Sequence, residues 1–266
     1  MTSEYSYSGR SDPKRSLELL WRLEIKPSRG PKPGLNLDQI VAAAIEVADA
    51  EGLPALSMRR VAEHLGVGTM SLYRYVPAKA ELLDLMLDTV DGGLQRPDAS
   101  VVGWRAKLEF FARQSWDGYH RHPWVLHIVA MDARPPLGPN IMASFEAMLE
   151  AVAGTGLKGS EMIAVIKVVQ GYVQGVARSS IEAIQVVEHT GVSEGQWWSE
   201  RTEFWEDIFD VEKFPTITEV WESGGFNEPE DDFEFGLTRV LDGIEVLVAE
   251  RQLEAQQKAP TRKDGP

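Results

Sequence analysis

Apolar residues recur along this chain at helical spacing. Asn36 is placed to cap a helix, with Gln39 at the capping-box position. Ile40, Ala44, Val47 and Ala48 follow at i, i+4, i+7 and i+8, which makes one apolar face, and Gly52 stops it. Ser57 is placed to cap a second helix that turns Val61, Ala62 and Leu65 inward. Gly66 supplies the residue without Cβ that a left-handed C′ position favours. A third helix is expected from about Thr69, carrying Leu72 and Val76. Pro77 is expected to open a fourth on Leu82, Leu83, Leu85, Met86, Leu87 and Val90, ending near Asp91.

Beyond residue 100 the period stays helical, most regularly over 104–121, 140–153, 160–188 and 233–250. Strand patterns are scarce, so the expected class is all-α. Residues 1–35 read as an extension, in which Leu17 to Trp21 has the spacing of a short helix and Ser28 to Gly34 has the prolines and glycines of an extended arm. Residues 189–232 are less regular. They hold 13 acidic residues against Arg201 and Lys213, together with Trp197, Trp198, Trp205 and Trp221.

Composition narrows the chemistry. The chain has 266 residues and no cysteine, which excludes disulfides, thiolate metal sites and thiol nucleophiles. No run is long and apolar enough for a membrane span, and the first fifteen residues hold no apolar signal core, so the expected address is cytoplasmic. The net charge of −14 argues against a polyanion partner until it is divided along the chain. Residues 1–80 carry 11 Lys and Arg against 9 Asp and Glu, whereas the remainder carries 16 against 32. Any binding to nucleic acid is therefore expected at the front.

Within that front half, 57–76 has the form of a helix, a tight turn and a second helix. The contact needs a small residue, here Ala62, a glycine in the turn, here Gly66, and apolar residues bridging to the second helix, here Val67 and Leu72. Such a unit lays its second helix in the DNA major groove, although an ordinary helical corner has the same spacing. Gly154-Thr155-Gly156-Leu157-Lys158-Gly159 matches a dinucleotide-binding pattern but comes after a helix where that pattern needs a strand. It reads as an interhelical turn, with Ser160 capping the next helix. No catalytic motif, metal-ligand spacing or cofactor motif is present, so no enzyme activity, catalytic residue, metal or cofactor is expected.

The flanks extend the pattern. Ile40, Ala44, Ala48 and Glu51-Gly52, then Leu56 to Ala62, Leu65-Gly66-Val67, and Ser71 through Tyr73, Tyr75 and Lys79 to Leu83 resemble the DNA-binding domain of the tetracycline-repressor (TetR) family, with Val76 where many members carry phenylalanine. Residues 232–244 more weakly resemble the last helix of the tetracycline-repressor-type C-terminal domain. The resemblance implies an all-α fold: an N-terminal three-helix helix-turn-helix DNA-binding domain over 36–91 and a larger helical effector-binding and dimerisation domain over 92–254; the polar residues 255–266 read as a flexible tail. It implies that Arg59, Thr69, Met70 and Tyr73 face base edges and that Ser57, Ser71, Tyr75 and Lys79 hold phosphates. Arginine can pair with guanine bidentately and a methyl-bearing side chain can meet a thymine methyl, while hydroxyls and lysine suit phosphate oxygens. Tyr73 and Tyr75 serve equally well as core residues, and Ser57 as a cap alone. Arg29 and Lys32 give the arm the charge to enter a minor groove or to act as a solvated linker.

A helix-turn-helix reads specific sites as a dimer on a two-fold symmetric operator. Two apolar stripes offer a homodimer surface in a four-helix bundle. One holds Val169, Val173 and Val176, with Gly171 and Gly175 allowing close approach, and the other holds Leu237, Val240, Leu241 and Ile244. Each stripe could also pack within its own subunit. For a small-molecule effector, apolar or aromatic, the expected pocket draws on Trp104, Trp116, His120, Trp124, His127, Met131, Phe145, Gln170 and Gln174, with Phe110, Phe111 and Met148 nearby. The acidic tryptophan-rich stretch is a candidate cap suited to a cationic effector. The expected function is a repressor released from a palindromic operator in double-stranded DNA by that effector. Two others stay open: an activator or ligand-requiring regulator, and a ligand-binding protein without DNA function.

Overall fold

The computed structural model describes residues 13–23, 34–131, 136–226 and 232–258, and every regular element among them is helical. In order these are α1 (Pro13–Leu20), α2 (Leu37–Glu51), α3 (Met58–His64), α4 (Thr69–Tyr73), α5 (Lys79–Asp91), α6 (Trp104–Arg121), α7 (Trp124–Met131), α8 (Pro139–Val152), α9 (Gly159–Thr190), α10 (Glu194–Ser199), α11 (Pro215–Glu222) and α12 (Asp232–Lys258). None of them is long and apolar enough to cross a membrane.

Local chemistry sets the early boundaries. Asn36 Oδ1 accepts the Gln39 N–H at 2.8 Å while Gln39 Oε1 accepts the Asn36 N–H at 2.9 Å, so two orphan donors of α2 are satisfied reciprocally. Ser57 Oγ accepts the Arg60 N–H and caps α3. At the other end of α3, Gly66 sits at φ +67°, its N–H bonded to Glu63 O and that of Val67 to Ala62 O. This paired closure turns the chain sharply into α4. A Cβ at Gly66 would meet open space, so Gly66→Ala exposes the backbone cost alone. It should lower unfolding free energy in urea by about 1–2 kcal/mol. One boundary differs from expectation: α5 begins at Lys79, with Ala78 as its cap and Pro77 outside. Val76, just before that proline, is fully buried in the core.

The first core gathers Ile40, Val41, Ala44 and Val47 of α2, Val61 and Ala62 of α3, Leu72 of α4, and Leu82 and Met86 of α5. It also draws on distant sequence. Leu20 enters from α1, and Trp124 and Ile128 enter from α7. The Trp124 Nε1–H donates to Asp49 Oδ1 at 2.6 Å, and His122 Nδ1 lies 2.8 Å from the same oxygen.

The second core lies among α6, α8, α9 and α12. Val169 and Val173 of α9 meet Leu237, Leu241 and Ile244 of α12 there, against Leu108 and Phe111 of α6. These five residues were expected at a dimer seam and are instead buried inside one chain, because the two stripes face each other. Val176 and Val240 are half-buried at the edge of this core. Arg105 pairs with Asp242 at 2.7 Å and Glu245 at 2.9 Å, and Arg251 with Glu161 at 2.8 Å, which fastens α12 to α6 and α9. The glycine-rich turn 154–159 joins α8 to α9. Lys158 is the cap residue of α9, its N–H bonded to the Glu161 carboxylate, so the helix starts ahead of Ser160. Over 189–226, the tryptophans of α10 and the turn after it cluster with Phe209, Phe214 and Trp221.

Candidate nucleic-acid interface and ligand cavity

The turn at Gly66 and the burial of Leu72 fix which side of α4 faces out. Leu72 is fully buried with Leu65 and Val67 packed near it, so the opposite side carries Met70, 76% exposed, and Tyr73, 41% exposed. Thr69 and Ser71 are half-buried beside them. Arg59 of α3 is exposed, and its Nε donates to Glu63 at 2.8 Å, a bond that raises the pKa of the guanidinium. Arg60 is held instead by Glu51.

The expected phosphate-holding residues have differing freedom. Ser57 is exposed and keeps its hydroxyl proton, since its oxygen is the acceptor in the cap bond. The Lys79 ammonium donates to Leu56 O and has further N–H groups to offer. Burial lowers its pKa. Tyr75 takes the core placement that the sequence left open: it is half-buried against the first core and its hydroxyl donates to Leu35 O at 2.9 Å. That proton is spent on anchoring the residues that lead into α2, which leaves none for a phosphate. Arg29 and Lys32 lie outside the described residues.

A cavity of about 350 Å³ opens between α5, α6, α7, α8 and α9. Its apolar wall includes Leu87, Val90, Phe111, Val125, Ile128, Ile141 and Met148. Ser115, Tyr119, Ser144, Gln170, Gln174 and Asp91 supply the polar points. Gln170 Nε2 reaches Ser115 Oγ at 3.4 Å and Met148 Sδ at 3.3 Å. Tyr119 bonds Gln174, and burial raises the pKa of its hydroxyl. Burial pushes the Asp91 carboxyl up to about 6; Ser144 counters that rise and the neighbouring Asp88 charge adds to it.

Of the nine residues expected to line a pocket, Gln170 and Gln174 stand on this wall, together with Phe111 and Met148. Trp124 is in the first core. Trp116 stacks on Phe233 at 4.5 Å and packs on His120, whose ring bonds Trp116 O and Ser180. Trp104 packs on the second core, Phe145 is half-buried off the wall, and His127 is exposed. Met131 ends α7, and its side chain lies outside the described structure. The reason is the register of α6. Positions 111, 115, 118 and 119 share one helical face toward the cavity, whereas 116 and 120 turn toward Phe233 and Ser180.

Asp91 and Tyr119 were not anticipated. The sequence did carry one signal for Asp91: an acid in the last turn of an apolar helix opposes the helix dipole. Among the described residues no three His, Asp or Glu side chains gather as a metal site would require.

Two family descriptions match this chain: "Bacterial regulatory proteins, tetR family" over residues 40–86, and "Tetracyclin repressor-like, C-terminal domain" over 96–248. The HTH-type transcriptional repressor DrrR1 of Streptomyces coeruleorubidus is 46% identical over 249 residues, which cover 93% of this chain and 91% of that protein. Among solved structures, apo ActR of Streptomyces coelicolor aligns with a TM-score of 0.66 at 26% identity, over 83% of this chain and 99% of ActR. ActR in complex with actinorhodin aligns with a TM-score of 0.65 at 26% identity, over 81% and 99%.

Proposed function

The chain belongs to the tetR family of bacterial regulatory proteins, and on that premise we propose that it is a homodimeric transcriptional repressor. It binds a palindromic DNA operator in the cytoplasm and leaves it when a small molecule fills the cavity. The carrying observation is the uncovered pair Met70 and Tyr73 on α4, beside exposed Arg59 of α3, while Leu72 locks the same helix from behind. An apolar side chain left in water gains by meeting a thymine methyl, the apolar group that the major groove presents. Arg59, Thr69, Met70 and Tyr73 are assigned to the bases, and Ser57, Ser71 and Lys79 to phosphates. The repressor relative and the actinorhodin-bound neighbour support the two halves of this reading.

The dimer face is assigned to the sides of α9 and α12 that the subunit leaves open. Val168, Gly171 and Gly175 are exposed on α9, as are Phe235, Gly243 and Val246 on α12. Val176 and Val240 border this strip. The helix joining the two sites is α5. Lys79 at its start bonds Leu56 O, just before the α3 cap, and Leu87, Val90 and Asp91 at its end line the cavity. A ligand that prefers a shifted α5 lowers operator affinity by its differential affinity for the two arrangements.

Duplexes selected from a random pool supply the operator for the test. Tyr73→Ala and Arg59→Ala should each weaken binding by about 1–3 kcal/mol, roughly 5- to 150-fold. Lys79→Ala should flatten the salt dependence and weaken all duplexes alike. Retention of wild-type affinity by both Tyr73→Ala and Arg59→Ala would overturn the assignment.

A further inference from the structure

We propose that Asp91 is the recognition residue for a positively charged group on the effector, so that the cavity selects an apolar molecule bearing a protonated amine. This rests on the reading of the cavity as the effector site and adds the chemical class of the ligand.

Three observations carry it. First, the described wall holds no Lys, Arg or His, and Asp91 is the only carboxylic acid on it. Second, Asp91 Oδ2 is buried with no hydrogen-bond partner. Buried oxygens are nearly always paired, and an ionised one left alone is costly. The contrast lies one turn away on the same helix. Asp88 Oδ1 accepts the N–H groups of Asn140 and Ile141, and its Oδ2 accepts Asn140 Nδ2. Glu81 Oε2, near the start of α5, is buried without a hydrogen bond as well, but Glu81 is not on the cavity wall; Asp91 combines such an oxygen with a place on that wall. Third, Asp91 ends the thirteen-residue α5, where the helix dipole places partial negative charge. A cation docked there meets the carboxylate and the dipole together, while Leu87, Val90, Phe111 and Ile128 bury its apolar body.

The same geometry makes cation binding depend on pH. The titratable groups on the elements around Asp91 are Asp88 of α5, Tyr119 of α6 and, on a smaller cavity that Asp91 also lines, Arg96, which pairs with Glu150 of α8 at 3.2 Å; α8 and α9 bring the uncharged Ser144, Gln170 and Gln174. Tyr119, with its pKa raised, stays neutral throughout. Since the Asp91 carboxyl titrates at about 6 in the empty cavity, affinity for a cation should rise with pH through that value and level off above it.

The test uses two fluorescent probes of one shape, cationic pyrenylmethylamine and neutral pyrenylmethanol, titrated into the full chain without DNA. At about pH 7.5 the ammonium should bind the wild-type protein about tenfold tighter or better. Asp91→Asn should erase that preference and leave pyrenylmethanol unaffected. In wild-type protein the preference should also fall about tenfold at about pH 5, where the ammonium is still charged and only about a tenth of Asp91 is ionised. This arm decides the question without a variant if Asp91→Asn fails to fold. Equal binding of the probes, a preference that survives both changes, or binding of neither probe would overturn the proposal. Binding of neither probe would remove the cavity reading together with the proposal, whereas equal or Asp91-independent binding of both probes would overturn the proposal and leave the cavity as the effector site.

Discussion

Trp124→Ala will cost about 3–5 kcal/mol of unfolding free energy. Trp124 is 2% exposed in the first core, although it lies on α7, more than thirty residues beyond the end of α5. Its removal leaves a cavity that Ile128 and the α2 side chains around it fill only in part, and takes a donor from Asp49. His127→Ala on the same helix should change stability by less than about 0.5 kcal/mol, because that ring is exposed. Urea titration of both variants measures the difference. A Trp124→Ala midpoint close to that of His127→Ala would mean that α7 does not complete the first core. Trp124→Phe should fall between them, since it keeps most of the buried area and loses the bond to Asp49.

Gly175→Glu will have the largest effect on operator binding while leaving the subunit folded. A Cβ at Gly175 meets nothing within 4 Å, and glycine inside an exposed helix is about 1 kcal/mol worse than most residues, so the fold itself tolerates the change. Across a two-fold interface the new carboxylate would lose water and be repeated by symmetry, and such like-charge juxtaposition costs several kcal/mol. The variant should sediment as a monomer. Its affinity for a duplex with two half-sites should drop by at least about 100-fold, while thermal unfolding in dilute solution keeps its cooperativity. A dimeric Gly175→Glu protein with wild-type operator affinity would move the interface away from this strip.

These two residues mark how far the sequence could be read. Helical periodicity, Asn36 with Gln39, Ser57 as a cap and Gly66 in the turn were all legible, because each rests on interactions within a few residues. Leu72 was legible as the inward anchor of α4, but Tyr73 was open between a core and an outward placement, and only the structure set it outside. Long-range pairing was not legible. The stripes on α9 and α12 have the same pattern whether they face a partner or each other, and apolar periodicity carries no information about which apolar surface is met. For the same reason the tryptophans and histidines of 104–127 suggested a pocket, while the cavity took Ser115, Gly118 and Tyr119 from the adjacent face of α6.

The amino-acid sequence by itself determined the helical class and the capped corner from Ser57 into the helix anchored by Leu72. Backbone geometry and local hydrogen bonds decide those features over one or two turns. Only the tertiary structure decided that Trp124 belongs to the front core, that Val169 and Leu241 meet inside one subunit, and that Asp91 ends beside a cavity with an unpaired oxygen. Those facts depend on which distant surfaces exclude water together, and the apolar effect that drives such contacts has no direction and no preferred partner.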